Sequence, residues 1–353
     1  MVFLLLHIQN SATIHPMKWN LFGHDWAVEI LQKHIQNNSV RHAYLLSGTP
    51  GIGRRRMAIK FAQAINCLQP PEPGDTCGVC RICKQTEKLQ LPDLSIVQLE
   101  EDKNEIRIEQ IRELQKSLSL TPYEAKYRIA LIINFHLANP NAQNALLKTL
   151  EEAPPKVILL ITTDAVENLL PTISSRCEIL RLRPVPISEM ELLLKENWKL
   201  DQAAAMELAH LTSGRIGLAK TFMIDLQNQE LIHDLLNDCI KIFNFQLVER
   251  FQYIEKLTSS RKRGETKESV RQILETWLLF WRDILLQKSG CSSMVTFVMF
   301  SGMSRQASSV LSFEEINTIT KKLEESLSLL EANINIRLLL ENLMMKWPTI
   351  RIG

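Results

Sequence analysis

The sequence predicts an α/β protein in its first half, a parallel sheet layered between helices, continued by an all-helical second half. Three observations predict it. Short apolar runs alternate with segments of helical spacing from Ala43 to Leu182, the pattern that places helices on both faces of a parallel sheet. A glycine-rich loop, Gly48-Thr49-Pro50-Gly51-Ile52-Gly53-Arg54-Arg55, joins the first such run to a helix. After Ile187 the helical period continues to the end with no convincing strand.

Bulk properties narrow the function classes. At 353 residues the chain exceeds one small core, so two or three domains are expected. Lys plus Arg (41) against Asp plus Glu (39) gives a net charge of +2, which excludes a globally basic nucleic-acid surface and leaves only a local patch. No apolar run approaches the roughly 20 residues of a membrane span, and no membrane partner is expected. Met1 to Leu6 is apolar but lacks a basic leader and a small-residue cleavage site, so it does not read as a secretory signal. Met17 is an alternative start, and residues 1–16 are set apart as an extension. The seven cysteines, an odd number without a signal, suggest reduced thiols in the cytoplasm.

Trp19 to Gln36 reads as an amphipathic helix entered after Gly23, with Trp26, Ile30, Leu31 and Ile35 sharing one side. Ala43 to Leu46 is a short strand, and Met57 to Ile65 a helix. The glycine loop between them has the layout of a phosphate-binding loop, in which backbone N–H groups close around phosphates, a lysine reaches the outer phosphates and a hydroxyl holds Mg²⁺. Here Arg54 and Arg55 stand at the two chemical positions. Arg54 supplies positive charge, but Arg55 has no oxygen for magnesium. Gly48, Gly51, Gly53 and Arg54 therefore form a loop shaped for a nucleotide and poorly equipped to hydrolyse one. Whether ATP binds stays open.

A turn-rich passage, Pro70 to Asp75, stops the helix and leads to Cys77-x-x-Cys80-x-x-Cys83, with Cys67 ten residues upstream of Cys77. Four thiolates at these gaps suit a tetrahedral, structural Zn²⁺; a redox pair or an iron–sulfur centre shares part of the pattern. Ser95 to Gln98 is read as a strand and Ile106 to Leu118 as a helix. Arg128 to Asn134 is a strand buried on both faces. A hydrolysing phosphate-loop enzyme carries an aspartate, and often a glutamate, at the end of such a strand. This chain has Asn134, Phe135 and His136 there, and His136 alone reads as structural rather than as a substitute base.

Asn139-Pro140 begins the helix Asn141 to Glu151, which Pro154-Pro155 ends. Strands at Val157 to Thr162 and Glu178 to Leu182 flank Ser174-Ser175-Arg176-Cys177, and the proline-rich turn Arg183 to Pro186 is the first domain boundary. Ile187–Trp198, Leu200–Thr212 and Ile216–Leu226 form a small helical module, and helices continue from Gln227, including Ile273–Leu286 and the helical stretch Ile319–Trp347. The basic segment Lys256 to Lys267 reads as a solvated loop, and Trp277, Phe280 and Trp281 as core or subunit-interface anchors.

With these pieces in place the chain resembles the bacterial clamp-loader subunits of DNA polymerase III, the delta-prime branch more closely than the gamma/tau ATPase branch. The residues that carry the resemblance are His42-Ala43-Tyr44-Leu45-Leu46-Ser47-Gly48, the four cysteines, Asn144-Ala145-Leu146-Leu147-Lys148-Thr149-Leu150-Glu151-Glu152 and Ser175-Arg176-Cys177. It implies an AAA+ α/β domain at 17–183 with an inserted zinc module at 67–83, a helical lid at 184–226 and a helical collar at 227–353 that joins subunits into a ring-like hetero-oligomer. It implies a non-hydrolysing, stator-like subunit for DNA replication, with gamma/tau ATPase subunits and the delta subunit as partners and the sliding clamp and primed DNA reached through the complex. Arg176 would be an arginine finger acting in a neighbour's ATP site. Thr162, Thr163 and Arg215 fall near nucleotide-sensing positions. An ATP-hydrolysing gamma/tau-type subunit is the competing expectation.

Overall fold

The computed structural model describes residues 18–100, 103–259, 263–330, 332 and 334–351; the extension at 1–16 and part of the basic segment near 260 lie outside them. Two compact units divide between Pro184 and Val185.

The first unit alternates helices and strands as α1 (Asp25–Gln36), β1 (Ala43–Ser47), α2 (Arg54–Asn66), α3 (Arg81–Glu87), β2 (Leu94–Val97), α4 (Ile108–Leu118), β3 (Arg128–Ile132), α5 (Pro140–Glu151), β4 (Val157–Thr163), a single turn α6 (Pro171–Ser174) and β5 (Glu178–Arg181). The five strands are all parallel in the order β2-β3-β4-β1-β5. Side chains of a strand alternate between faces, and two separate cores follow from that period. Tyr44, Leu46, Ile129, Leu131, Ile158 and Leu160 pack with α1 and α2 on one face. Leu45, Ala130, Ile132, Leu159 and Ile161 pack with α4 and α5 on the other. Burying both faces explains why these strands are continuously apolar.

The first helix differs from its expected form. Gly23, at φ 72°, separates it from Trp19, which lies in a 3₁₀ turn at φ 56°. The Trp19 ring is buried against Phe61, and its Nε1 donates to the Gly74 carbonyl at 3.1 Å. The helix begins only at Asp25, and its buried stripe is Ala27, Val28 and Leu31, which leaves Trp26 exposed.

The second unit is helical: α7 (Ile187–Trp198), α8 (Gln202–Thr212), α9 (Ile216–Ile224), α10 (Leu226–Asn244), α11 (Leu247–Ser259), α12 (Arg263–Lys288), α13 (Ser301–Val310), α14 (Phe313–Leu330) and α15 (Ile336–Lys346). The apolar stretch from Ile319 to Trp347 is thus two helices, the second entered through an Asn335 cap that accepts the Leu338 N–H. Trp277, Phe280 and Trp281 are buried in one core with Phe243 and Trp347. Trp281 and Trp347 meet edge to face at 5.2 Å, and Trp277 Nε1 donates to the Leu235 carbonyl. Rings enclosed in this way are packing anchors and offer no face to a stacking base. Cys239 is buried in the same core, whereas Cys291, just after α12, is exposed.

Candidate functional site

Strand order places the carboxyl ends of β3, β4 and β1 side by side, the place where open α/β sheets hold ligands. The glycine loop leaves the end of β1 there. Gly48, at φ 155°, donates its N–H to the Thr163 carbonyl, and a Cβ at this position would lie 2.7 Å from the Leu182 carbonyl oxygen. Backbone from β4 and from the end of β5 therefore leaves no room for a side chain. Gly51 is exposed at the turn, and Gly53, at φ 109°, is the left-handed cap from which α2 starts. His24 braces the loop by donating from Nε2 to the Ile52 carbonyl at 2.9 Å, and burial lowers its pKa, which keeps it neutral.

Helix α2 begins at Arg54 itself, so that side chain starts in the site. It is buried, and its Nη2 donates to Asn134 Oδ1 at 3.1 Å. Asn134 is left-handed at φ 54°, and its N–H is held by Thr162 Oγ1 at 2.8 Å. The guanidinium thus bridges the two halves of the site, where a hydrolysing loop would hold an ammonium, a magnesium ion and a carboxylate. Arg55 is exposed and Phe135 is buried, so neither supplies a missing ligand. Thr163 Oγ1 donates to the Ala165 carbonyl. Arg215, in the second unit, donates from Nε to the Thr212 carbonyl.

Asp164 is a site residue that motif spacing missed, although an acid directly after the β4 threonines was the available signal. Its Oδ1 accepts from the Ala165 N–H at 2.7 Å and from Asn168 Nδ2 at 3.0 Å. His136 Nδ1 lies 3.2 Å from that carboxylate and also 3.3 Å from the Asp164 N–H. Burial lowers the His136 pKa more than the carboxylate raises it, with Arg54 adding to the fall. A neutral ring accepting the backbone N–H at Nδ1 accounts for both distances better than an ion pair. The Asp164 carboxylate, already satisfied locally, holds a loop rather than an open metal position.

At the other end of α2 the chain turns into the cysteine module. Cys67, Cys77, Cys80 and Cys83 come together with all four Sγ atoms within 4.8 Å of one another. Zn–S bonds of about 2.3 Å put tetrahedral sulfurs roughly 3.8 Å apart, and the Sγ atoms of Cys77 and Cys83 are 4.0 Å apart. Backbone N–H groups already point at sulfur: Cys77 N to Cys67 at 3.4 Å, Cys80 N to Cys77 at 3.3 Å and Cys83 N to Cys80 at 3.4 Å. The Cys80 N–H lowers the Cys77 thiol to about 6. A closed set of four soft donors fits a structural metal ion, and convergence of all four is more than an isolated redox pair requires. The short helix α3, capped by Cys80, was not anticipated; it carries Cys83 inward.

Arg176 lies elsewhere on the first unit, between α6 and β5. Its side chain is 36% exposed, its Nη2 is 2.7 Å from Glu151 Oε1, and its Nη1 donates to the Thr172 carbonyl at 2.9 Å. Neighbouring Cys177 is inert by comparison, because burial pushes its thiol up to about 12.

Residues 23–186 match the family model described as DNA polymerase III, delta subunit. The first unit is therefore similar to clamp-loader subunits of DNA polymerase III. The delta' subunit of Bacillus subtilis is 27% identical over 321 residues, covering 90% of this chain and 94% of that one. The delta' subunit of Pseudomonas aeruginosa is 27% identical over 319 residues, with 88% and 92% covered. The gamma subunit of Buchnera aphidicola is 26% identical over 278 residues, with 76% and 74% covered. The chain spans about a third of the length of the longer tau and tau/gamma relatives it matches. The parallel sheet with flanking helices forms an α/β domain, and the helical region follows it in the chain. Among the described residues, no helix is long and apolar enough to cross a membrane.

Proposed function

We propose that this chain is a delta-prime-type, non-hydrolysing clamp-loader subunit that helps load the sliding clamp onto primed DNA. The observation that carries the reading is the Arg54–Asn134 hydrogen bond, which fills the phosphate loop from within and links the two positions where hydrolysis needs a lysine and a carboxylate. Near-complete coverage of two delta' relatives supports the same branch. The partners are then gamma/tau ATPase subunits and the delta subunit, with clamp and DNA engaged through the assembly. Residues 184–226 act as the lid and 227–353 as the collar that joins subunits.

Arg176 serves as the finger. An arginine supplied in trans neutralises charge that develops on a transferred phosphoryl group, and an exposed guanidinium at a turn is positioned for such use. The cysteine cluster binds one structural Zn²⁺ through Cys67, Cys77, Cys80 and Cys83, and the ion would cross-link the module without an open coordination position. Arg54 Nη1 is buried with no hydrogen-bond partner among the described residues, so phosphate binding without turnover is compatible with the loop.

The gamma relative supports a second reading, an ATP-hydrolysing subunit with a divergent loop. One pair of assays separates the two. The purified chain shows no ATP turnover, and equilibrium dialysis with labelled nucleotide reports any binding. Turnover by the chain alone that Arg54→Ala abolishes sinks the non-hydrolysing reading. Co-purification with candidate gamma/tau subunits, followed by ATPase assays with and without this chain, tests the partnership.

A further inference from the structure

Three stretches far apart in the sequence meet at one exposed crevice. His42 enters from the start of β1, Leu150 and Glu151 from the end of α5, and Ser175 and Arg176 from the turn before β5. The phosphate loop explains none of this convergence. The chain of contacts runs in order. His42 Nε2 donates to the Leu150 carbonyl at 3.0 Å, tying the last turn of α5 to the sheet. Glu151, the next residue, presents Oε1 to Arg176 Nη2 at 2.7 Å. On its other side the guanidinium gives Nη1 to the Thr172 carbonyl at 2.9 Å and to Ser175 Oγ at 3.4 Å.

We propose that Glu151 is a positioning residue for Arg176, fixing the direction in which the guanidinium is offered to an anionic group on a neighbouring subunit; this rests on the arginine-finger reading above. A guanidinium carries five N–H donors. Among the described residues three are engaged, which leaves two for a phosphoryl oxygen. A long exposed side chain otherwise loses rotamer freedom only when it docks, and a carboxylate on a rigid helix end removes that cost beforehand. A single exposed ion pair binds weakly, so the contact orients Arg176 without competing strongly with a multiply charged phosphate. Leu150 and His42 act one step further back, by setting where Glu151 stands.

The test uses the reconstituted complex with its ATPase subunits and measures kcat and KM for ATP, with assembly followed by size-exclusion chromatography. Arg176→Ala defines the turnover that depends on the arginine. Glu151→Ala is expected to reduce that fraction about fivefold in kcat with KM and assembly unchanged. Glu151→Gln, which keeps an acceptor oxygen, recovers part of the loss. The double variant Arg176→Ala with Glu151→Ala turns over no more slowly than Arg176→Ala alone, because Glu151 acts only through the arginine. Full turnover in Arg176→Ala overturns the finger reading and this inference together. Loss in Arg176→Ala with no loss in Glu151→Ala, or additive losses in the double variant, overturns this inference alone.

Discussion

The two ends of helix α2 solve opposite problems. At its start, Arg54 finds Asn134 across the site, and the polar groups of the loop are met largely by the chain itself. Just past its end, Cys67 joins three other thiols whose sulfurs converge on one another and on a few backbone N–H groups. One end keeps the form of a ligand site with a single guanidinium nitrogen of Arg54 left over, and the other keeps a full set of four donors that could hold a metal ion. Ligand sites are therefore better judged by which donors the fold leaves unmet than by loop shape.

The largest effect that would break this contrast is at the cysteine end. Chelation, or Cys83→Ser, is expected to cost on the order of 5 kcal/mol or more, since metal affinity is converted into folding free energy. Elemental analysis should find one zinc per chain; carefully reduced protein with no metal and unchanged thermal stability removes the claim. A smaller loss, about 3 kcal/mol, is expected for Asp93→Ala. This buried carboxylate accepts N–H groups from Tyr123, Glu124 and Ala125 beside Arg128, and Glu124 in turn pairs with Arg81 of α3, so it props the module. Burial alone would raise its pKa, yet the three N–H groups and Arg128 win and hold it below the usual carboxylate value. The stability it contributes is thus complete above the unfolded value, about 3.9, and is lost as pH falls through the lower folded value. Urea titrations between pH 5 and pH 2 should show a steeper decline for the parent chain than for Asp93→Ala.

The loop end should respond less. Arg54→Ala is expected to cost about 1.5–2 kcal/mol in chemical denaturation, the low end of the scale for one hydrogen bond to a charged group. The double change Arg54→Lys with Arg55→Thr sharpens the point with the smallest predicted signal, no ATP turnover above background. It restores one half of the chemistry while Asn134 and Phe135 still lack a carboxylate. Turnover in that variant would mean that Asp164, or another acid, can be recruited.

Much of this was readable from residue order. The continuous apolar strands, the cysteine spacing and the paired substitutions at Arg54–Arg55 and Asn134–Phe135 each follow from local chemistry at known separations. Other features depend on tertiary proximity that no spacing encodes. Asp164 feels the charge of Arg54 because β4 lies between β3 and β1, and Glu151 meets Arg176 because α5 ends beside the turn before β5. Trp26 misled because the period was started too early, before the Gly23 break fixed the phase of α1.

The uneven placement of the seven thiols also makes the chain its own reporter. Cys239 is buried, Cys177 is held as a poorly reactive thiol by burial, and Cys291 is exposed. With a metal closing the four-cysteine set, a maleimide dye at neutral pH should couple once per chain, at Cys291 in the helical unit. After chelation the count should rise, so dye stoichiometry reads metal occupancy directly. The same single attachment point gives a fluorescent handle for following subunit assembly without introducing a new cysteine.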